Sequence, residues 1–235
     1  MENIIDKVRE ALQNKVDEKA LAGSQHFFKE KIKCYGVRAP MVRQIGKEFF
    51  KMIKDRSKSE IFDLCEDLWR SGFIEESFVA CHWSYFIRAK FEPSDFARFE
   101  KWIDDYIDNW ASCDTFCNHT MGTFIAMYPE FLTRLKVFGR SENRWKRRAA
   151  AVSLIVPART GKFLGDIFDI ADILLIDTDD LVQKGYGWML KAASKVHQRE
   201  VFDYVIKNKD RMPRTALRYA IEKMPKDLKT IAMAK

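Results

Sequence analysis

The stretch NWASCDTFCNH, residues 109–119, places a Trp, two cysteines spaced Cys-x3-Cys, an Asp and a His within eleven residues. On a helix, Cys113 and Cys117 share a face, so half of a metal site is geometrically possible. A closed zinc site needs four ligands, usually with a second Cys or His pair at fixed spacing. The other histidines, His26, His82 and His197, stand singly. The cysteines therefore read as small apolar thiols on a buried face, and no metal is expected. Nucleophilic and phosphate-loop chemistry find no footing, because GxSxG, GxGxxG, GxxxxGK[ST] and HExxH are all absent.

Basic residues offer a second kind of chemistry. ENRWKRRAA (142–150) gathers Arg144, Lys146, Arg147 and Arg148; Lys184, Lys191 and Lys195 follow, then Arg214 and Arg218. Residues 203–235 hold nine Lys/Arg against four Asp/Glu. On successive helices facing one groove, such residues would form a stripe suited to a phosphate backbone. An ordinary solvated helical surface accounts for them equally well. Of six tryptophans, most are expected in the core. Trp110 differs because it opens a helix in a polar context, and Trp188 because Gly185 and Gly187 leave space around its ring. An exposed Trp beside Asp114 and a basic groove could stack on a base or sugar.

The elements that must position these residues are helical. In SEIFDLCEDLWRSGF, Ile61, Leu64, Cys65 and Leu68 keep helical spacing and Gly72 follows as a C′ stop. In PSDFARFEKWIDDYI, Phe96, Phe99, Ile103 and Tyr106 form a stripe behind Pro93. Pro129, Pro213 and the DTDD run at 177–180 mark further helix starts. No segment alternates as a strand, and Gly (10) and Pro (6) are too scarce for an all-β fold built on tight turns.

Five segments can be laid over one another: FVACHWSYFIRA from 78, CNHTMGTFIAMY from 117, RRAAAVSLIVPA from 147, KGYGWMLKAASK from 184 and RTALRYAIEKMP from 214. Each is rich in small residues and each follows a more charged helix; their starts lie 39, 30, 37 and 30 residues apart. Helix pairs at this period point to an all-α fold, an α-solenoid of HEAT-like repeats forming a curved superhelix with a basic concave groove. A helical bundle with accidental self-similarity is the competing reading. No Gly/Ser-rich linker divides residues 1–235, so one domain is expected.

The bulk numbers agree with a soluble protein. Hydrophobic residues make up 47% and charged residues 32%, with a formal charge of +7 and a pI near 9.1. Five cysteines without CxxC pairing, behind an N-terminus with no apolar leader, suggest reduced thiols in the cytoplasm. The most apolar segment, FLGDIFDIADILLI, is broken by Asp166, Asp169 and Asp172 and cannot span a membrane.

YGVRAPMVRQ (35–44), NWASCDT (109–115), NRWKRRAA (143–150) and KGYGWMLK (184–191), in this order and spacing, carry a family likeness. The chain resembles, over nearly its full length, the AlkD family of DNA alkylation repair glycosylases, which are HEAT-like repeat proteins. The resemblance implies a cleft formed by Trp110, Asp114, Arg148 and Trp188. Asp114, Trp110 and Trp188 would serve catalysis, and Arg148, Phe27, Arg147, Lys184, Lys191, Arg214 and Arg218 would bind DNA. Phe27 stands where the family often has Tyr, which keeps the stacking surface without the hydroxyl. The implied activity is hydrolysis of the N-glycosidic bond of cationic alkylpurines in duplex DNA, by a monomer with no cofactor, no metal and no membrane attachment. The alternative is a non-catalytic repeat protein that recognises bent or branched DNA; a protein-interaction scaffold is a third reading. The complete Trp110–Asp114–Arg148–Trp188 set favours the enzyme.

Overall fold

The computed structural model describes residues 3–28 and 31–234, the side chains of 24–27 excepted. Among the described residues there is no strand, and one isolated bridge joins Lys33 to Phe73. Contacts divide the chain into two compact units, Met1–Phe116 and Cys117–Lys235. The boundary falls within a run of helix rather than at a linker, which is why no Gly/Ser-rich segment marks it.

The first unit comprises α1 (Ile4–Gln13), α2 (Glu18–Phe27), α3 (Ala39–Ile53), α4 (Lys58–Arg70), α5 (Ile74–Phe86), α6 (Asp95–Asp105) and α7 (Trp110–Phe116). Helix α5 packs against α3, α4 and α7, so it forms the spine of this unit. Local rules set the boundaries. Ser57 and Glu60 close a capping box on α4. At its far end Gly72, at φ 70°, occupies the left-handed position where a side chain would be strained. Ile61, Cys65 and Leu68 are buried as the helical spacing requires.

The YGVRAP segment owes its path to two buried carboxylates on α5. Glu75 accepts the backbone N–H groups of Tyr35, Gly36 and Val37 at 3.0, 2.8 and 3.0 Å. Glu76 accepts the Tyr35 hydroxyl at 2.6 Å and pairs with Arg9 at 3.1 Å. Tyr35 also stacks on Phe73, 3.9 Å between centroids. Gly36 has φ 90°, and a Cβ there would lie 2.6 Å from Leu21 Cβ, so only glycine fits.

The second unit begins with a π-helical turn, Cys117–Met121, followed by α8 (Gly122–Met127), α9 (Leu132–Phe138), α10 (Arg144–Val152), α11 (Ile155–Ala158), α12 (Leu164–Leu174), α13 (Asp180–Ala193), α14 (Gln198–Asn208), α15 (Arg214–Ile221) and α16 (Lys226–Met233). Here α8 packs on α11, α10 and α11 on α13, and α13 on α15, while α9, α12 and α14 back α10, α13 and α15 in turn. These are the small-residue helices of the sequence repeat with the helices that back them, and the fold is the HEAT-like α-solenoid class expected. The backing helices are not uniformly the more charged members, since α10 carries more charge than α9. The small residues set the spacing. Ala149, Ala150, Ala151, Ala193, Ala216 and Ala220 are wholly buried. A Cβ on Gly187 would meet the Ala216 carbonyl and Tyr219 Cβ, each at 2.7 Å, so glycine lets α13 and α15 touch backbone to backbone.

Candidate functional site

Helix α7 is short, and its orientation comes from its ends. Asn109 is nearly buried; its Oδ1 accepts the Ser112 N–H at 2.9 Å, an N-cap bond, and its Nδ2 donates to Ser112 Oγ at 3.1 Å. At the other end Phe116 is fully buried, edge-on to Trp69, Phe99 and Trp102 at 6.1, 5.7 and 5.8 Å. With Cys113 and Phe116 turned into this aromatic core, Trp110 and Asp114, one turn apart, fall on the opposite face. Both are half-buried.

Cys113 and Cys117 are 0% exposed, so both pack as thiols. Among the described residues no group of three or more His, Cys, Asp or Glu could hold a metal ion. Phe27 ends α2, and its side chain lies outside the described residues. Its neighbour Phe28 stacks on Trp110, with centroids 5.4 Å apart and planes at 23°. Nothing in the sequence pointed to Phe28, whose place beside Trp110 depends on where α2 ends.

Four tryptophans, Trp69, Trp83, Trp102 and Trp145, belong to the core, whereas Trp110 and Trp188 keep part of their surface open. The reason expected for Trp188 needs correction, however. Gly187 admits α15, and a Cβ on Gly185 would touch Arg148 Cγ at 3.4 Å and Val152 at 3.6 Å. The glycines serve helix packing against α10 and α15, and they leave no empty space for the half-buried Trp188 ring.

The basic residues fall into two sets. On α10, Arg144 pairs with Asp179 at 2.8 Å and Arg147 with Asp177 at 2.6 Å, while Arg147 Nη1 also donates to the Ser141 and Glu142 carbonyls at 2.9 Å. Lys184 pairs with Asp180 at 2.9 Å. The DTDD run thus does more than start α13, where Asp179 is the N-cap; its carboxylates bind the α10 cations and tie the two helices together. Arg148 is 5% exposed and donates to the Leu181 carbonyl. A phosphate reaching Arg147 or Lys184 must compete with these internal acceptors.

The other set is open. Arg214 and Arg218 sit one turn apart on α15, exposed and with no carboxylate partner among the described residues. Arg159, Trp188, Lys191, Ala192, Lys195 and Lys223 line a depression of about 200 Å³. Lys191 is held there by Glu222 at 2.7 Å and lies 5.3 Å over the Tyr219 ring. Arg159 and Lys223 escaped the sequence reading because α11 and the end of α15 reach the Trp188 face only in the fold.

An all-α, HEAT-like protein with a carboxylate beside a half-open indole on one helix, and a cation-lined depression beside another, suits a polyanionic partner. Residues 8–224 match the DNA alkylation repair enzyme family, to which the chain therefore belongs, and which places it in DNA repair. Among solved structures, the chain is similar to one described as a predicted DNA alkylation repair enzyme from Enterococcus faecalis. The identity is 18%, the TM-score 0.80, and the match covers 90% of this chain and 98% of that one. At that identity the likeness carries the fold. Comparison with curated proteins gives no match. No helix among the described residues is long and apolar enough to cross a membrane.

Proposed function

We propose that the protein is an AlkD-type monofunctional DNA glycosylase that removes cationic alkylated purines, such as 7-methylguanine and 3-methyladenine, from duplex DNA. A purine alkylated at N3 or N7 already carries positive charge, so it departs as a neutral base without a general acid. The C1′–N bond breaks, water supplies the oxygen that replaces it at C1′, and the water proton passes to carboxylate or solvent. What needs stabilising is the oxocarbenium character of the deoxyribose. Asp114 is assigned that electrostatic role and the positioning of the water. Trp110 and Trp188 are assigned contacts with the cationic base or sugar, each contributing about 0.5–2 kcal/mol. Arg214 and Arg218, with their open guanidinium groups, are assigned backbone phosphates. Arg147, Arg148, Lys184 and Lys191 join them wherever phosphate replaces their internal acceptors.

The observation that carries this reading is the half-open Trp110–Asp114 pair on α7, in a protein that buries its other tryptophans apart from Trp188. The test is release of 7-methylguanine or 3-methyladenine from methylated duplex DNA, wild type beside Asp114→Asn. Loss of the carboxylate is expected to lower the rate about 10²–10³-fold. Release by the wild type no faster than the spontaneous rate would exclude the enzyme and leave a DNA-binding repeat protein. Equal rates for the two proteins would remove Asp114 from the mechanism.

A further inference from the structure

The depression beside Trp188 lies wholly within the second unit. It is lined by Arg159 after α11, Trp188 and Lys191 on α13, Lys195 just beyond α13, and Lys223 after α15. Four cations converge there, and the nearby acid that pairs with them is Glu222, which bridges Lys191 at 2.7 Å and Lys223 at 3.5 Å. Arg159 and Lys195 are exposed and have no carboxylate partner among the described residues. Like charges brought together around a cavity repel one another, and an anion relieves that repulsion. Glu222 supplies one negative charge against four positive, so a net attraction for a further anion remains.

We propose that this depression is a phosphodiester-binding pocket of the DNA-binding surface, and that Glu222 is an internal anion that occupies Lys191 until a backbone phosphate displaces it. This rests on the reading that the protein acts on DNA. The indole of Trp188 supplies the wall against which the adjoining sugar or base packs. The Glu222 side chain is 46% exposed, so it swings away with no buried group left unsatisfied. Lys191, whose side chain is 16% exposed and whose ammonium lies over Tyr219, keeps its position when the partner changes. Hydrogen bonding from Lys191, with Lys223 adding to it, holds the Glu222 carboxyl below its ordinary value, so it is a fully charged competitor at neutral pH. The exchange sets an affinity threshold: loose contact with duplex does not displace Glu222, whereas a phosphate held in place by the other cations does.

Affinity for an undamaged duplex, measured by fluorescence anisotropy across a salt series, separates this pocket from the chemistry, because no base is excised. Removing the competitor by Glu222→Gln is expected to tighten binding about fivefold; Arg159→Gln and Lys195→Gln are each expected to weaken it about fivefold. Each of the latter two should also reduce the slope of log affinity on log salt by about one. All three positions are exposed at least in part, so folding is checked simply by an unchanged circular dichroism melt. Wild-type binding with all three variants unaltered would overturn the pocket while leaving the glycosylase reading intact. No duplex binding by wild type would overturn both. Inorganic phosphate or a nucleoside monophosphate that displaces duplex at micromolar concentration, with the loss abolished in Arg159→Gln, would reassign the pocket to a free phosphate ligand and overturn the proposal.

Discussion

Met1–Phe116 contains 19 Lys/Arg and 21 Asp/Glu, a formal charge of −2, whereas Cys117–Lys235 contains 22 and 13, a charge of +9. The positive charge of the chain therefore resides in one unit, while the carboxylate assigned to chemistry resides in the other. Within each unit, acids and bases are used differently. In the first unit carboxylates are structural acceptors: Glu75 gathers three backbone N–H groups, Glu76 holds Arg9 and Tyr35, and Glu66 takes bonds from Lys101, Tyr106 and Arg70. In the second unit Asp177 and Asp179 neutralise Arg147 and Arg144 of α10, Asp180 pairs with Lys184 of α13, and the surplus cations remain at Arg159, Lys195, Arg214 and Arg218. The densest basic run in the sequence is thus not where the free charge lies. Local pairing, rather than local composition, decides which cations are available to a phosphate.

The sharpest test of the contrast between core and open tryptophans compares Trp102→Ala with Trp110→Ala. Trp102 is fully buried among Phe62, Phe99 and Phe116, so its truncation should cost about 3–5 kcal/mol of unfolding free energy in a denaturant titration. Trp110→Ala should lower base release and cost less than half as much stability; equal costs would place Trp110 in the core. Next comes Glu75→Gln. Replacing a carboxylate that accepts three backbone N–H groups with an amide bearing two donors should cost about 1–3 kcal/mol, read by the same titration. A smaller and more selective difference is expected between Arg147→Gln and Arg218→Gln. The first should lower stability by about 1 kcal/mol through loss of the Asp177 pair, with little change in the salt dependence of DNA binding. The second should leave stability unchanged and reduce the salt slope by about one. Opposite outcomes would reverse the division between paired and open cations.

The smallest effect is one of pH. Burial works to raise the Glu66 carboxyl pKa, yet bonds from Lys101 and Tyr106 outweigh it and hold the group below its ordinary value of 4.5. A depressed folded pKa means that the stabilisation is complete above that ordinary value and is lost as the pH falls through the folded one. Glu66→Gln should therefore flatten the acid limb of a stability–pH profile and leave the profile's shape near neutrality alone. An unchanged acid limb would show that Glu66 does not contribute to it.

Much of the architecture was legible because helices announce themselves locally. Gly72 marks the end of α4 by its positive φ, Asp179 caps α13, and the spacing of Ile61, Cys65 and Leu68 gives the buried stripe directly. The small-residue segments from 117, 147, 184 and 214 marked helices that stack within the second unit, since only small side chains let neighbouring backbones approach as closely as Gly187 does to Ala216. Trp110 and Asp114 were legible as a pair from their spacing on one helical turn.

Other features had no local signal. The partner of Arg147 is thirty residues away at Asp177, and sequence spacing does not reveal which acid neutralises which base across two packed helices. The same holds for Arg159, Lys195 and Lys223, which meet beside Trp188 because three helix ends converge there. It holds for Phe28, which faces Trp110 across most of a hundred residues of chain. By itself the sequence determined the helical class, the repeat, the core thiols and the pairing of Trp110 with Asp114, because each follows from periodicity or residue type within a turn or two. Tertiary structure alone decided which cations stay free and which ring covers Trp110, because those depend on contacts between segments that periodicity does not relate.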